Sequence, residues 1–334
     1  SALHIACLTV GLGSGDILWT SPNSFVASAN CGIYCGADID FIDIDPFSWN
    51  ISFEDLKEKL VKAKLRDKLP KVIITVHFSG NPTDQEKIYK LAKSYGICLI
   101  EDASHGIGAS FDGEPVGSCK WSDITVFSFH PVKIITTGEG GMALTNDPVI
   151  YEQLVMLRSH GISRNKQSFK GKDIRPWVYE QQLLGWNYRM TDISAALGLS
   201  QLDRVNQYVT KRNQIAQVYN ARLKSLPIQL PKIEKLARSS FHLYVVCVND
   251  NDVKYDKQKT RDDLYLYLTN EQIGVNVHYI PIHLQPYYRN LGFYPKQFPK
   301  AEQYAERAIT LPIHPMLKEE EQEFIIKKLE EFFN

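Results

Sequence analysis

The sequence predicts an α/β protein in which a large domain with a mostly parallel sheet precedes a smaller α/β domain. From Ile17 to about Asp147, short apolar runs alternate with helical stretches. Such alternation is typical of parallel strands joined by helices that cover both faces of the sheet. A long helical pattern from Thr191 to about Leu226 then leads out of this region.

Beyond Pro231, two more strand-like runs lie at residues 241–248 and 274–281, with helical stretches between and after them. Together with the helical stretches around them, these runs predict a second, smaller α/β unit. We therefore expect a large domain over residues 1–200 and a small domain over residues 201–334.

The elements of the large domain follow from local patterns, taken in chain order. Residues 1–10 have the pattern of an amphipathic helix, which Gly11 ends. Ser52 is a favourable N-cap for a helix, with Asp55 as its capping-box partner. The remaining patterns predict strands at 38–45, 71–77, 97–100 and 122–129 and helices at 52–65 and 84–95.

Composition narrows the possible functions. Hydrophobic residues make up 44% of the 334 residues, which is enough for a substantial core. Lys and Arg total 38, as do Asp and Glu, so no net charge points to a nucleic acid partner. No apolar stretch is long enough for a transmembrane helix, and the first residues lack the basic region of a signal peptide. We expect a cytoplasmic protein.

The sequence gives no reason to expect a bound metal. The six Cys residues are scattered, mostly in apolar surroundings, and are expected to be buried free thiols. Cys31 and Cys35 have no second pair of ligands for zinc. The acidic run DIDFIDID lacks the Gly and the Glu of a calcium loop.

Asp102 is the first candidate for chemistry. It follows the apolar run 97–100 in the segment LIEDASHGIGA. In a parallel sheet, ligands bind at the carboxyl ends of the strands, and an acid followed by small residues there suits a cofactor. A helix N-cap or a turn explains a single Asp equally well.

Lys133 is the second candidate, in the segment SFHPVKIITTGEGG at 128–141. A Lys at the end of a strand, beside small residues, can form a Schiff base with a carbonyl cofactor once burial lowers the pKa of its amine. A surface Lys in a glycine-rich turn is the alternative. Together, Asp102 and Lys133 match what pyridoxal phosphate requires, a carboxylate for the pyridine nitrogen and a lysine for the aldehyde.

Four segments carry a resemblance that is more specific than these two residues. They are VHFSGNPTD, IEDASHGIGASFDG, SFHPVKIITTGEGG and GWNYRMTDISAALGLSQL. In this order they resemble the signature segments of the DegT/DnrJ/EryC1/StrS sugar aminotransferases. The resemblance implies fold type I of the pyridoxal-phosphate transferases. The large domain of this fold has a mostly parallel sheet of the seven-stranded type, flanked by helices. LRSHGISR, PWVYEQQLLGWNYRMTD, FHLYVVCV and VNVHYIPIHLQPYY look closest to one branch, the transaminases of pseudaminic acid biosynthesis.

The resemblance also implies a role for individual residues around the cofactor. Lys133 would bind the cofactor covalently and move protons, and Asp102 would pair with the pyridine nitrogen. His105 stands where the family has Gln or His near the 3′-oxygen, and Ser128 would bind the phosphate. Asn187 would reach the phosphate in the neighbouring subunit of a homodimer with shared sites.

Other roles implied by the resemblance are less direct. Phe25 stands where the family stacks an aromatic ring on the pyridine, although a place in the core explains it equally well. Arg189, His278, Tyr279 and His283 lie in segments that the family uses around its substrates, and VHYIPIH also has the pattern of an ordinary packed strand.

The implied reaction moves the amino group of L-glutamate to C4 of a UDP-linked 4-keto-6-deoxy-N-acetylhexosamine. Another nucleotide keto-sugar, or an inactive homologue with a structural or regulatory role, are the alternatives. Sugar dehydratases of the same family have His where this chain has Lys133. The family's phosphate-binding Ser/Gly-Thr pair would precede Ser1, so we expect part of the usual N-terminal portion to be absent.

Overall fold

The computed structural model describes residues 1–173, 175–249 and 259–334. Its central feature is a sheet of six strands in the order β2-β1-β3-β4-β7-β8. The first five strands are parallel, and β8 runs antiparallel to β7. The mostly parallel sheet is confirmed, with six strands in the described residues where seven are typical of the fold.

The elements of the large sheet and its helices alternate along the chain. The strands are β1 (Ile17–Thr20), β2 (Asp38–Phe41), β3 (Val72–Val76), β4 (Cys98–Asp102), β7 (Ile124–Ser128) and β8 (Gly141–Leu144). The helices are α1 (Ala2–Thr9), α2 (Ala27–Tyr34), α3 (Phe53–Leu65), α4 (Gln85–Ser94) and α5 (Pro148–Leu157). A short hairpin, β5 (Ser110–Phe111) and β6 (Glu114–Pro115), joins β4 to β7, and β12 (Ala237–Arg238) pairs with β5.

The later part of the chain forms a separate antiparallel sheet in the order β11-β13-β14. Its strands are β11 (Ile228–Gln229), β13 (Tyr244–Val248) and β14 (Ala308–Leu311). The remaining elements are β9 (Ile162–Ser163), β10 (Glu180–Gln181), α6 (Asp192–Leu202), α7 (Val205–Leu223), α8 (Arg261–Asn270), α9 (Pro286–Asn290), α10 (Pro299–Arg307) and α11 (Glu319–Phe333).

Local chemistry explains several of these boundaries. The Oγ of Ser52 accepts a hydrogen bond of 3.2 Å from the N–H of Asp55 and so begins α3 as an N-cap. Asp84 caps α4 in the same way by accepting from the N–H of Lys87. Gly11 has a φ of +73° just after α1, a conformation that glycine adopts without strain. The helix ends predicted from these residues are confirmed.

Two predicted elements are wrong. Residues 274–281 do not form a strand, and only Asn276 makes a single bridge, to Thr310 of β14. The strand that pairs with β13 in this part of the chain is instead β14. The helical pattern 191–226 contains two helices rather than one, because the chain breaks at Asp203 and Arg204.

The apolar cores follow this division only in part, because one of them joins Phe41 and Phe78 to Val245 and Tyr288. One core is built from residues of 215–333, among them Tyr219, Tyr244 and Leu329. Two others lie on the large sheet and are built from residues of 3–126. Helix α7 contributes Val205 and Val209 to a core with the loop after β7, and its later residues pack in the first core. The boundary at residue 200 therefore stays a prediction.

Within the described parts of the chain, no helix is both long and apolar enough to span a membrane.

Candidate active site

The candidate residues meet at the carboxyl edge of the large sheet. Asp102 is the last residue of β4, and Ser128 is the last residue of the neighbouring strand β7. Lys133 lies in the loop that follows β7. The topology therefore brings to one edge two segments that are about thirty residues apart, where parallel sheets bind their ligands.

The carboxylate of Asp102 is buried and held on both oxygens. Its side chain is only 4% exposed. The Oγ of Ser28 donates to Oδ2 over 2.6 Å, and the N–H of Ser104 donates to Oδ1 over 3.1 Å. The hydroxyl of Ser104 also donates to Oδ1. The Oγ of Ser24 lies 2.8 Å from the Oγ of Ser28 and extends this hydrogen-bond network. These donors fix the direction in which the carboxylate points.

The loop that carries Lys133 is fixed by the residues that follow it. Ile134 and Ile135 are buried in the core with α7. The Oγ1 of Thr136 donates to the carbonyl oxygen of Phe129 over 2.9 Å and closes the loop. Burial lowers the pKa of the Lys133 amine, and the negative charge of Asp102 opposes this in part. A larger share of the amine is therefore neutral and nucleophilic than in a surface lysine.

Three imidazoles lie close enough to Lys133 for its charge to affect their pKa, and the phenol of Tyr279 contacts one of them. The Nε2 of His105 lies 3.3 Å from the hydroxyl of Tyr279. The ring of His242 lies 4.5 Å from that of His105, and the Nδ1 of His278 is 2.8 Å from Oγ1 of Thr310.

Burial keeps these side chains uncharged. Burial first, and then the charge of Lys133, lower the pKa of His105 and of His242 well below the usual value. The same causes lower the pKa of His278 to about 4. Burial raises the pKa of Tyr279, so its phenol stays protonated. The site thus offers neutral donors and acceptors around one amine.

Two nitrogens of this cluster are buried without a hydrogen-bond partner in the described residues, Nδ1 of His105 and Nδ1 of His242. Such atoms cost free energy unless a ligand or water satisfies them. The arrangement of amine, carboxylate and unsatisfied imidazoles is that of a site for a polar cofactor.

The model of the DegT/DnrJ/EryC1/StrS aminotransferase family matches residues 1–330. The chain belongs to this family. Its sugar aminotransferases depend on pyridoxal phosphate, so the expected class of enzyme and its cofactor are confirmed.

Relatives within the DegT/DnrJ/EryC1/StrS family differ in the sugar named. The UDP-4-amino-4,6-dideoxy-N-acetyl-beta-L-altrosamine transaminase of Campylobacter jejuni strain 81-176 is 34% identical over 326 residues, covering 97% of this chain and 81% of that protein. GDP-perosamine synthase of Escherichia coli O157:H7 is 32% identical over 333 residues, covering 100% and 83%. The structure of Helicobacter pylori PseC, an aminotransferase involved in the biosynthesis of pseudoaminic acid, has a TM-score of 0.85 at 30% identity, covering 100% and 85%.

The residues present fit the cofactor of this family. Pyridoxal phosphate needs an amine, a carboxylate and donors for its oxygens. Lys133 and Asp102 supply the first two, and the unpaired Nδ1 of His105 is a buried polar atom for which the described residues provide no partner. Ser128 is half-buried at the same edge, where its Oγ accepts from the N–H of His130 over 3.4 Å.

Phe25 is an exposed aromatic residue that lies near Tyr279. Phe25 is 60% exposed, and its ring lies 6.3 Å from that of Tyr279. Of the two interpretations of Phe25 from the sequence, a place in the core is therefore excluded. Stacking on the pyridine ring stays a prediction.

Asn187 and Arg189 lie on the surface of this chain. Both side chains are exposed, and Asn187 makes one bridge to Ser159 near the end of α5. Neither contacts Lys133 or Asp102, which is what a role toward a neighbouring subunit requires. That role stays a prediction.

His283 is packed in the protein interior. It is fully buried, its Nε2 lies 3.0 Å from Oε1 of Glu302, and its ring packs against Phe41 and Phe298. These contacts give His283 a packing role. Its expected contact with substrate stays a prediction that no observed contact supports.

The structure adds two residues that the sequence did not indicate. Ser28 has no motif that ties it to Asp102, since its contact spans 74 residues. His242 stands as a single histidine before an apolar strand, a pattern that histidines of ordinary cores share. Only its position beside His105 distinguishes it.

Proposed function

We propose that this chain transfers the amino group of L-glutamate to C4 of a UDP-linked 4-keto-6-deoxy-N-acetylhexosamine, a precursor of pseudaminic acid. The chemistry rests on one observation, the amine of Lys133 with its lowered pKa beside the buried carboxylate of Asp102. The choice of sugar rests on similarity to the Campylobacter transaminase named above.

Each of the site residues has a separate role in the proposed reaction. Bound pyridoxal phosphate supplies an electron sink for the carbon that loses its proton. Asp102, held by Ser28 and Ser104, pairs with the pyridine nitrogen and keeps it protonated. His105 would hold the 3′-oxygen of the cofactor, and Ser128 would hold its phosphate. The Nζ of Lys133 takes a proton from the donor carbon and later returns one to C4 of the sugar.

The neighbourhood of Lys133 suits this proton transfer. An amine with a pKa nearer to neutrality is a better general base at physiological pH than an ordinary lysine. His105, His242 and His278 stay neutral at the same pH, so they do not compete as positive charges. Burial of the cluster also excludes water from the reacting carbon.

The proposal includes a homodimer and a cytoplasmic location. Helix α6 is rich in apolar residues, yet none of its side chains is buried in the single chain. Ile193 is 86% exposed and Leu199 is 66% exposed. A second copy covering this face would bury both and would bring its Asn187 toward the site of the first chain. Gln201 of the same helix donates from Nε2 to the carbonyl oxygen of Thr136, in the loop of Lys133.

A different nucleotide keto-sugar is the second candidate, because GDP-perosamine synthase is also similar over the whole chain. If this chain used a GDP-linked sugar, the roles of Lys133 and Asp102 would be unchanged. A dehydratase or an inactive homologue is less well supported, since Lys133 and Asp102 are both in place.

The first test is an absorbance spectrum of the chain with pyridoxal phosphate before and after L-glutamate. We expect a band of protein-bound cofactor that glutamate bleaches. A UDP-linked 4-keto sugar should restore the band, and a GDP-linked sugar should not. Restoration by the GDP-linked sugar alone would contradict the substrate that we propose.

The variant Lys133→Ala tests the chemistry itself. It should lose the band of covalently bound cofactor and at least about a hundredfold in transamination rate. Lys90→Ala is the matched control, because Lys90 pairs with Glu86 and lies over the ring of Trp121 on the surface, and neither residue belongs to the site. Full activity of Lys133→Ala would exclude the proposed mechanism.

A further inference from the structure

The loop that precedes β13 is joined to the floor of the candidate site. The Oγ of Ser240 donates to the carbonyl oxygen of His105 over 2.7 Å, and the N–H of Ser240 donates to that of Gly80 over 3.0 Å. The Oγ of Ser239 donates to the carbonyl oxygen of Gly80 as well, over 3.0 Å. The backbone around His105 is therefore fixed by residues 239–240 of the later half of the chain.

A buried arginine holds the next two residues of this loop. Arg212 of α7 is 5% exposed, and it has no carboxylate partner in the described residues. Its Nη1 donates to the carbonyl oxygens of Phe241, His242 and Ile313 over 3.0, 3.2 and 2.8 Å. Burial lowers the pKa of Arg212 to about 10, which reflects the cost of keeping this cation inside.

The backbone at Phe241 is unusual enough to need such support. Its φ is +45°, in the left-handed region that residues other than glycine rarely adopt. The two hydrogen bonds from Arg212 to the carbonyl oxygens of Phe241 and His242 stabilise this conformation. Their effect is to direct the side chain of the next residue, His242, toward the site.

His242 packs against the imidazole of His105. The ring centroids are 4.5 Å apart with an angle of 41° between the planes, and both side chains are more than nine-tenths buried. A ring at this distance restricts rotation of the His105 imidazole, because rotation needs space on its face. The ring of Tyr279 also lies beside His105, with centroids 6.3 Å apart and an angle of 23° between the planes.

The contact with Tyr279 allows the neutral imidazole of His105 to carry its proton on Nδ1. Tyr279 stays protonated, so its hydroxyl can donate to Nε2 of His105 over 3.3 Å. The proton of the neutral imidazole then lies on Nδ1, the buried atom that lacks a partner. A fixed ring with an Nδ1–H donor suits an oxygen of the cofactor that carries negative charge.

We propose that His242 is a positioning residue of the cofactor site, which Arg212 holds in place and which packs the His105 imidazole in the orientation that binds the cofactor. This inference rests on the proposed function, because the cofactor is its target. His242 acts through the space that its ring fills beside His105.

The substitution His242→Ala removes the ring, and His242→Phe replaces it with another ring of similar size. We expect the dissociation constant for pyridoxal phosphate to rise about tenfold in His242→Ala, comparable to one misplaced hydrogen bond, and to stay within about twofold of the native value in His242→Phe. His314→Ala is the control, since His314 is exposed. Equal weakening by Ala and Phe would overturn the packing role.

Nitrogen-15 spectra of the histidine rings, recorded without cofactor, test the same inference independently. The native chain should show His105 as one neutral tautomer with the proton on Nδ1, and His242→Ala should show averaged tautomers. A predominant Nε2–H form in the native chain would overturn the inference even if His242→Ala failed to fold. Failure of the native chain to bind pyridoxal phosphate would instead overturn the proposed function, while the spectra would still decide the role of His242.

Discussion

Ser28 donates a hydrogen bond of 2.6 Å from Oγ to Oδ2 of Asp102, across 74 residues of sequence. Ser28 lies in the first turn of α2 and is fully buried, and its hydroxyl is 2.8 Å from that of Ser24. Helix α2 thus holds the carboxylate at the end of β4. The charge of Asp102 is presented to the site in a direction that a distant helix sets.

Loss of this bond should impair catalysis more than stability. In Ser28→Ala, Asp102 keeps its donors from Ser104 but is free to turn at Oδ2. A hydrogen bond to a charged group contributes about 1.5–3 kcal/mol, so we expect kcat/KM for transamination to fall by about tenfold or more. Steady-state kinetics with L-glutamate measure this change.

Ser94→Ala is the matched control for this substitution. Its hydroxyl donates only to the carbonyl oxygen of Leu91 on the surface of α4. We expect native kinetics from this variant. If Ser28→Ala also kept native kinetics, the orientation of Asp102 would not depend on Ser28.

Gly80 occupies a position that should not tolerate a side chain. A Cβ there would lie 2.2 Å from Oγ of Ser240 and 2.8 Å from the carbonyl oxygen of His105, and its φ is +90°. We expect Gly80→Ala to lower the free energy of unfolding by roughly 3 kcal/mol or more, measured by urea denaturation. The cofactor affinity should fall as well, because the His105 backbone must move.

Gly96→Ala separates the cost of a side chain at positive φ from the cost of the close contacts that a Cβ would make at Gly80. Gly96 has a φ of +72°, but a Cβ there would meet nothing within 4 Å. Gly96→Ala should lower the free energy of unfolding by only about 1–2 kcal/mol, the cost of the backbone conformation, and should not change the cofactor affinity. Equal destabilisation by the two variants would show that the contacts of Gly80 contribute nothing.

Acid should destabilise the protein through the buried histidines. Burial lowers the pKa of His278 to about 4, while the unfolded chain binds a proton near pH 6.5. Between these two pH values the unfolded state binds more protons at His278 than the folded state does. The stability that is linked to His278 is therefore fully present above pH 6.5 and is lost as the pH falls toward 4. His278 alone should account for about 2 kcal/mol at pH 5.

Urea denaturation at pH 5 and pH 7 measures this dependence. The difference between the two free energies should become smaller in His278→Asn, which cannot bind the proton. His314→Asn should leave the difference unchanged, since His314 is exposed. An unchanged difference in His278→Asn would mean that His278 is not held neutral by the fold.

Four strands of the large sheet, β2, β3, β4 and β7, could be predicted from sequence for a simple reason. Buried parallel strands are short, continuous apolar runs, and each run ends where polar residues begin. The runs before Asp102 and Lys133 carry this signal, so the edge at which both residues lie could be predicted. Capping by Ser52 is local in the same sense, since donor and acceptor are three residues apart.

The contacts that complete the site are not local, and sequence patterns do not contain them. The bond from Ser28 to Asp102 and the packing of His242 on His105 depend on how distant segments fold together. The strand predicted at 274–281 failed because alternation of apolar and polar residues indicates a strand even where tertiary contacts override it. Arg212 resembles any charged residue of a helix until its burial is known.

The exposed face of α6 leads to a prediction about assembly. Ile193 is 86% exposed on a helix without buried side chains, and the proposed homodimer would bury it. Ile193→Asp should raise the dissociation constant of the dimer by at least about a hundredfold, because a charge in an apolar interface is costly. Sedimentation velocity over a range of concentrations measures this constant.

Leu65→Asp is the matched control, since Leu65 is 84% exposed at the end of α3. It should leave the dimer intact. If Asn187 completes the site of the neighbouring subunit, activity per chain of Ile193→Asp should fall with dilution in parallel with the loss of dimer. A monomeric Ile193→Asp with full activity would exclude shared sites, because each chain would then bind its cofactor and substrates alone.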